Sequence, residues 1–200
     1  MALEVTAFSD FVCPWCYIGL AELDRVKAEF DITLTWRPYL LWPGTPDEGR
    51  ELPERIKQIE KNPDNPMRLR ARALGLTMAV HFHVPSTLKA HRASAFAREH
   101  GQHERFHRAV LQHYWERGED ISQWSVLQSC AAEAGLDGAL MQREVEAGRY
   151  TAAVDESIAE AQHAGVSAVP TFVIDHKYLV QGAQEADTFR SIFRQLSGGK

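Results

Sequence analysis

The chain has 200 residues, of which 44% are hydrophobic and 24% are charged, and its formal net charge is -5. This composition is typical of a soluble globular protein, and the negative charge argues against nucleic acid as a partner. The start, MALEVTAFSD, lacks the basic and apolar segments of a secretion signal, and no apolar run is long enough to span a bilayer, so we expect a cytoplasmic location and no membrane partner.

The first 50 residues predict a βαβ unit followed by a turn-rich segment. Residues 3–8 alternate as a strand, residues 14–30 have the apolar spacing of a helix, and residues 32–39 alternate again as a second strand. Residues 40–50 are rich in proline and glycine, which marks a loop. The composition changes there, and we place a domain boundary at this point.

The rest of the chain predicts a helical block and then an αββα unit. The helices predicted in the block cover residues 52–59, 67–74, 87–100, 104–117, 124–134 and 140–147. A helix over 151–164, a hairpin with strands after Pro170 and over 178–181, and a helix over 185–196 complete the chain. We therefore predict an α/β fold, namely a thioredoxin fold formed by residues 1–45 and 151–200 with an inserted all-helical domain, residues 46–150.

The strongest chemical motif is Cys13-Pro14-Trp15-Cys16, where the first predicted strand ends and the first helix begins. A thiol at a helix N-terminus meets unpaired backbone N–H groups, which favour the thiolate. Proline is tolerated in the first turn, and two cysteines three residues apart can close a disulfide. We predict a redox dithiol in which Cys13, expected to be the more exposed, is the nucleophile and Cys16 is the resolving thiol.

Metal binding is the main chemical alternative, and the sequence does not favour it. The only further cysteine is Cys130, so a cysteine-rich zinc site cannot form around the CxxC, and we expect Cys130 to be a buried, inert thiol. His103 and His107 match the HExxH pattern of zinc proteases. Arg105 and Arg108 surround that pair with positive charge, and no third ligand stands out, so we predict no metal.

Four stretches of the sequence carry a resemblance to a known family. They are Ser9–Gly19, Ser86–Arg92, Gly165–Phe172 and Gly182–Gln184. With these stretches the chain resembles the DsbA-like thioredoxin-fold family, and within it the cytosolic FrnE-type branch, which is related to 2-hydroxychromene-2-carboxylate isomerases and kappa-class glutathione transferases. Ser86 stands where the family usually has Asn, and Ala168 where Gly is common. Both differences fall in the expected substrate groove.

The resemblance implies a thiol–disulfide oxidoreductase, acting as a protein disulfide reductase, isomerase or oxidase, without a bound cofactor. Its catalytic residues would be Cys13 and Cys16, and its partner a protein or small-molecule disulfide or thiol. The residues expected to support the site are Asp10, Pro14, Trp15, His91, Val169 and Pro170. The family's proline is cis and faces the CxxC, which leaves the backbone of the preceding residue free to pair with an extended substrate.

Two other functions stay open at this point. One is a glutathione-dependent isomerase or transferase of the 2-hydroxychromene-2-carboxylate isomerase type, with glutathione as co-substrate. Such enzymes generally have Ser in place of Cys13 and lack the second thiol, which disfavours them here. The other is a non-catalytic holdase that binds peptides in the groove of the helical domain. The sequence does not fix the oligomeric state, and both monomer and homodimer stay open.

Overall fold

A computed structural model of the chain describes residues 2–198; Met1, Gly199 and Lys200, which the predicted domains include, lie outside the described residues. The strands are β1 (Leu3–Ser9), β2 (Ile32–Pro38), β3 (Arg50–Glu51), β4 (His83–Val84), β5 (Thr171–Ile174) and β6 (Tyr178–Gln181). The helices are α1 (Pro14–Lys27), α2 (Glu54–Lys61), α3 (Pro66–Ala73), α4 (Leu88–Glu99), α5 (His103–Trp115), α6 (Trp124–Glu133), α7 (Gly138–Glu146), α8 (Thr151–His163) and α9 (Ala186–Gly198).

The main sheet has the strand order β2-β1-β5-β6. Strand β1 runs parallel to β2 and antiparallel to β5, and β5 and β6 form an antiparallel hairpin. Phe8 near the end of β1 is the register partner of Thr171, the first residue of β5. The loop that follows β1 and the loop that precedes β5 therefore meet at one edge of the sheet, and the CxxC and Pro170 lie on these two loops. The predicted thioredoxin fold with a helical insertion is confirmed.

The insertion lies between β2 and α8 and packs on the sheet domain through one continuous hydrophobic core. The indole Nε1 of Trp115 on α5 donates a hydrogen bond to the carbonyl of Phe11 at 3.0 Å. The ring of His107 stacks on Trp36 of β2, with ring centroids 4.3 Å apart, and also contacts Phe11. These contacts fix the insertion against the loop that carries the CxxC.

One part of the insertion differs from the prediction of a helical block. Strands β3 and β4 form a two-residue antiparallel pair, and residues 74–87 contain no helix. A two-residue strand is too short to show alternation in the sequence, so the pattern could not reveal it. Gly49 precedes the pair with φ +82°, and a Cβ there would lie 2.7 Å from the carbonyl oxygen of Val84. Only glycine fits this approach without strain.

Within residues 2–198, no helix has the length and apolar character that crossing a bilayer requires.

Candidate active site

Cys13 is the N-cap residue of α1 and Pro14 is its first helical residue. The backbone of Cys13 is extended, and its N–H donates to the carbonyl of Asp10 at 3.1 Å. The Cys13 carbonyl accepts the first hydrogen bond of the helix, from Cys16 at 3.0 Å. The sulfur of Cys13 therefore lies at the start of α1, where unpaired N–H groups favour a negative charge.

Both cysteines of the CxxC are buried, so the expected difference, with Cys13 the more exposed of the two, is only slight. Cys13 is 2% exposed and Cys16 is 1% exposed, whereas Trp15 between them is 36% exposed. The two thiols pack in an apolar cluster whose other members are Phe8, Ala161, Val166 and Val169, with Tyr39, Leu41 and Val173 against it. These covering side chains come from distant segments. Little of Cys13 is therefore left open to solvent.

The loop before β5 lies directly against Cys13. The Cys13 thiol donates to the carbonyl oxygen of Val169, with sulfur and oxygen 3.4 Å apart, and the Val169–Pro170 peptide bond is cis. The Pro170 carbonyl accepts a hydrogen bond from the N–H of Gly182 at 2.7 Å. A Cβ on Gly19 of α1 would lie 3.1 Å from Cγ of Pro170, so this glycine allows the helix and the loop to approach closely. The structure thus places Pro170 opposite the CxxC.

Cys16 is held as the neutral thiol. Burial raises its pKa well above the ordinary value, and the hydrogen bond and the charge of Cys13 raise it further. Both cysteines are free thiols in the structure, which therefore represents the dithiol form. A thiol that keeps its proton is a weak nucleophile, because the thiolate is the reactive form.

Asp10 connects the CxxC loop to two other segments. One carboxylate oxygen accepts the N–H of Leu41 at 2.7 Å, and the other lies 3.2 Å from Nε2 of His91 on α4. Both Asp10 and His91 are buried. The sequence predicted both as supporting residues, but not their contact, since 81 positions separate them. We name this contact the Asp10–His91 clamp.

A small pocket beside the clamp brings two of the family-like stretches together. It lies between the start of α4 and the loop after β2, and its lining includes Asp10, Val12, Trp42, Ser86 and Thr87. Ser86, the residue that departs from the family pattern, therefore faces the region next to the dithiol. Leu41 and Gly19 were missed as site residues. The sequence did offer a signal for Gly19, because a glycine inside a predicted helix destabilises the helix and therefore indicates a close packing contact.

The HExxH pattern lies on α5, where its second histidine packs against β2. The rings of His103 and His107 are 6.1 Å apart at nearly a right angle, and His107 packs on Trp36. Among residues 2–198, no three or more His, Cys, Asp or Glu side chains are arranged to hold a metal. Cys130 is fully buried, and burial raises its pKa to about 12, in line with an unreactive thiol.

A four-stranded mixed sheet, a helical insertion and a dithiol at the start of α1 facing a cis-proline define a thioredoxin-fold protein of the DsbA type. The chain belongs to the DSBA-like thioredoxin domain family, which matches residues 4–194.

Three known proteins are similar to the chain over nearly its full length. Uncharacterized protein YwbO of Bacillus subtilis (strain 168) is 28% identical over 194 residues, which are 94% of this chain and 94% of YwbO. A crystal structure of a probable DsbA oxidoreductase from Streptomyces coelicolor is 27% identical, covers 99% of this chain and 91% of its own, and superposes with a TM-score of 0.87. The cytosolic disulfide reductase DsbM from Pseudomonas aeruginosa, solved with GSH, is 15% identical over 96% of this chain and 98% of its own, with a TM-score of 0.72, which is a likeness of fold.

Proposed function

We propose that the protein is a thiol–disulfide oxidoreductase in which Cys13 attacks the substrate and Cys16 resolves the intermediate. The observation that carries this proposal is the pairing of two unlike thiols at one helix start. Cys13 caps α1 and contacts the carbonyl of Val169. Cys16, one turn further on, is kept protonated by its burial.

The proposed reaction has two exchange steps. The Cys13 thiolate attacks one sulfur of a substrate disulfide, which forms a mixed disulfide and releases one substrate thiol after protonation. Cys16 then loses its proton and attacks the Cys13 sulfur, which releases the second substrate thiol and leaves a Cys13–Cys16 disulfide. Two electrons pass from the dithiol to the substrate. The same steps in reverse oxidise a substrate dithiol.

The Val169 carbonyl supports binding of an extended substrate chain. In the dithiol form this carbonyl accepts the Cys13 S–H. Once Cys13 is in a mixed disulfide, its sulfur has no proton to donate, and the Val169 carbonyl becomes free to accept an N–H of the substrate, as in strand addition. Exposed Trp15 and the pocket lined by Trp42 and Ser86 supply contacts for substrate side chains beside the thiol.

A cellular thiol must reduce the Cys13–Cys16 disulfide if the protein works as a reductase. We propose glutathione in this role, as a co-substrate and not as a bound cofactor, and we propose a cytoplasmic location, where thiols are kept reduced. Fold likeness to DsbM, a protein named as a cytosolic disulfide reductase and solved with GSH, supports both proposals.

Insulin reduction by dithiothreitol tests the function directly. We expect the wild-type protein to accelerate the reaction and Cys13→Ser to abolish the acceleration, because it removes the attacking sulfur. Cys16→Ser should accumulate the mixed disulfide, visible by mass spectrometry, and Cys130→Ser is the matched control and should keep full activity. Equal rates with wild type and Cys13→Ser would refute the proposal.

The same variants separate the alternative functions. Glutathione-dependent conversion of a 2-hydroxychromene-2-carboxylate by the wild type, without insulin reduction, would assign the protein to the isomerase class. Suppression of aggregation that is equal in wild type and Cys13→Ser would assign it to the holdases.

A further inference from the structure

A second polar cavity, distinct from the dithiol site, lies between β2 and helices α4, α5 and α8; we name it the β2 cavity. The polar side chains that line it, apart from His91, are Arg37, Ser94, Arg98, His103, His107 and Ser157. All of them can donate a hydrogen bond. Among the residues that the structure describes, no Asp or Glu side chain lines this cavity. A lining of donors without a carboxylate fits an anion and opposes a cation.

Two buried polar atoms of the β2 cavity have no partner. Ser94 is 5% exposed and His107 is 2% exposed. The hydroxyl oxygen of Ser94 and Nε2 of His107 make no hydrogen bond in the described part of the chain. Burying a polar atom without a partner is unfavourable, and native proteins rarely tolerate it unless a water, an ion or a ligand completes the site. The enclosed part of the cavity is small, so a ligand there must be small or must insert one end.

Two arginines, Arg37 and Arg98, lie at the mouth of the β2 cavity. Arg37 donates to the Ser157 hydroxyl at 3.2 Å and pairs with Glu160 at 3.3 Å. Arg98 lies at the same mouth and has no carboxylate partner within residues 2–198. Its side chain is partly desolvated, which lowers its pKa, and the charge of Arg37 lowers the pKa further. Glu156 and Glu160 line only the open depression outside. Of these two arginines, only Arg37 pairs with a carboxylate in the described part of the chain.

Two histidines inside the cavity, His103 and His107, are neutral donors at pH 7. Burial, followed by the charges of Arg98 and His91, lowers the pKa of His103 to about 4. Burial also lowers the pKa of His107 well below its ordinary value. Each neutral ring still carries one N–H, and Ser157, which accepts a hydrogen bond from Arg37, keeps its own proton to donate.

We propose that the β2 cavity binds a small oxyanion, either inorganic phosphate or the carboxylate end of a small metabolite. Arg98 and Arg37 hold its charge at the mouth, and Ser157, Ser94 and His107 donate from the inner wall. The site is separate from the thiol chemistry, but His91 lies on the cavity wall and also forms the Asp10–His91 clamp. A bound anion therefore lies one side chain away from the loop that carries Cys13.

Calorimetric titration of the reduced full-length protein at pH 7.0 tests this site, with sodium phosphate and sodium acetate as separate probes and sodium chloride holding the ionic strength constant. We expect saturable binding of at least one probe. Binding of phosphate alone identifies phosphate as the ligand class, and binding of acetate alone identifies a carboxylate. No saturable heat from either probe would overturn the proposal and leave water as the occupant.

Matched variants locate the binding. Arg98→Gln should weaken binding about tenfold or more, since it removes a charge-assisted hydrogen bond. Arg105→Gln removes the same charge from an exposed position on α5 outside the cavity and should leave the affinity unchanged. Ser94→Ala removes one hydroxyl donor from the cavity wall and should also weaken binding. It replaces Arg98→Gln as the test if that variant does not fold. Equal effects of Arg98→Gln and Arg105→Gln would overturn the proposed location.

Histidine NMR gives a second readout that does not depend on the heat of binding. The bound anion stabilises an imidazolium, so the pKa of His103 should rise from about 4 when the probe is added. An unchanged His103 titration at saturating probe would contradict an anion in the cavity. None of these measurements involves Cys13 or Cys16, so their failure would leave the proposed redox function untouched.

Discussion

Replacing His91 by leucine tests whether the Asp10–His91 clamp holds the CxxC loop. The change leaves the Asp10 carboxylate buried with the N–H of Leu41 as its remaining side-chain hydrogen bond, at 2.7 Å. Removing one partner of a buried hydrogen bond costs about 1–3 kcal/mol, because the other polar group is left without that partner. Since the Leu41 N–H remains, we expect a loss of unfolding free energy of about 2 kcal/mol, from a total of about 5–15 kcal/mol.

Urea unfolding of the reduced protein at pH 7.0, followed by tryptophan fluorescence, measures this loss. His91→Gln restores a donor at a similar reach and should recover most of the unfolding free energy. Adding Asp10→Asn to His91→Leu should cost less than the sum of the single changes, because the neutral amide tolerates the missing partner better. His163→Leu, at an exposed position of α8, is the control and should change stability by less than about 0.5 kcal/mol.

The dithiol provides the second readout of the clamp. The Asp10 carbonyl accepts the N–H of Cys13, so a displaced Asp10 also displaces the start of α1. Insulin reduction should be slower with His91→Leu than with the Gln variant, at a temperature where both are folded. If the unfolding free energy of His91→Leu is within about 0.5 kcal/mol of the wild-type value and the variant reduces insulin at the wild-type rate, the clamp neither stabilises nor positions the loop.

Two further predictions concern thiol burial and chain turns. Above pH ~8.5 the unfolded chain loses thiol protons that folded Cys16 and Cys130 retain. The unfolding free energy of the reduced protein should therefore fall by up to about 1.4 kcal/mol per pH unit for each thiol, and Cys130→Ala should make the decline shallower. An unfolding free energy that stays constant from pH 7.5 to 9.5 would contradict the burial of both thiols. Gly49→Ala should destabilise the protein by about 1–3 kcal/mol more than Gly75→Ala. Both glycines have positive φ, but only at Gly49 would the new Cβ lie 2.7 Å from the Val84 carbonyl oxygen. Thermal unfolding of the two variants measures the difference, and equal melting temperatures would show that β4 can move aside without loss of stability.

Local signals in the sequence were enough to predict the main features of the fold. The position of the CxxC at the start of α1 followed from Pro14 and from the apolar spacing after it, both of which act within a few residues. The hairpin after Pro170 and the glycine-terminated helices of the insertion were predictable for the same reason. The two-residue strands β3 and β4 were not, because so short a pair leaves no periodicity.

The surroundings of the site depend on contacts between distant segments. Cys13 was expected to be the more exposed of the two thiols because it lies nearer the helix start. The burial of Cys13 comes from the side chains of Tyr39, Leu41 and Val169, and no local pattern in the sequence predicts that these side chains come together. The contact of Asp10 with His91 is of the same kind: each residue was identified as a supporting residue from its own stretch, and only the packing of α4 against the sheet domain brings the two together.

The pairing of β1 with β5 has a consequence for the newly made chain. Val5 and Ile174 are register partners, yet the whole helical insertion is synthesised between them. The closure entropy of so long a loop grows only slowly with its length, by about 0.6 kcal/mol for each doubling, but distant pairing slows folding. Until β5 emerges, one edge of β1 has no strand to pair with, and Val169 is not yet present to cover the thiols. The length of the insertion therefore sets how long a nascent chain carries Cys13 and Cys16 without the loop that covers them in the folded protein.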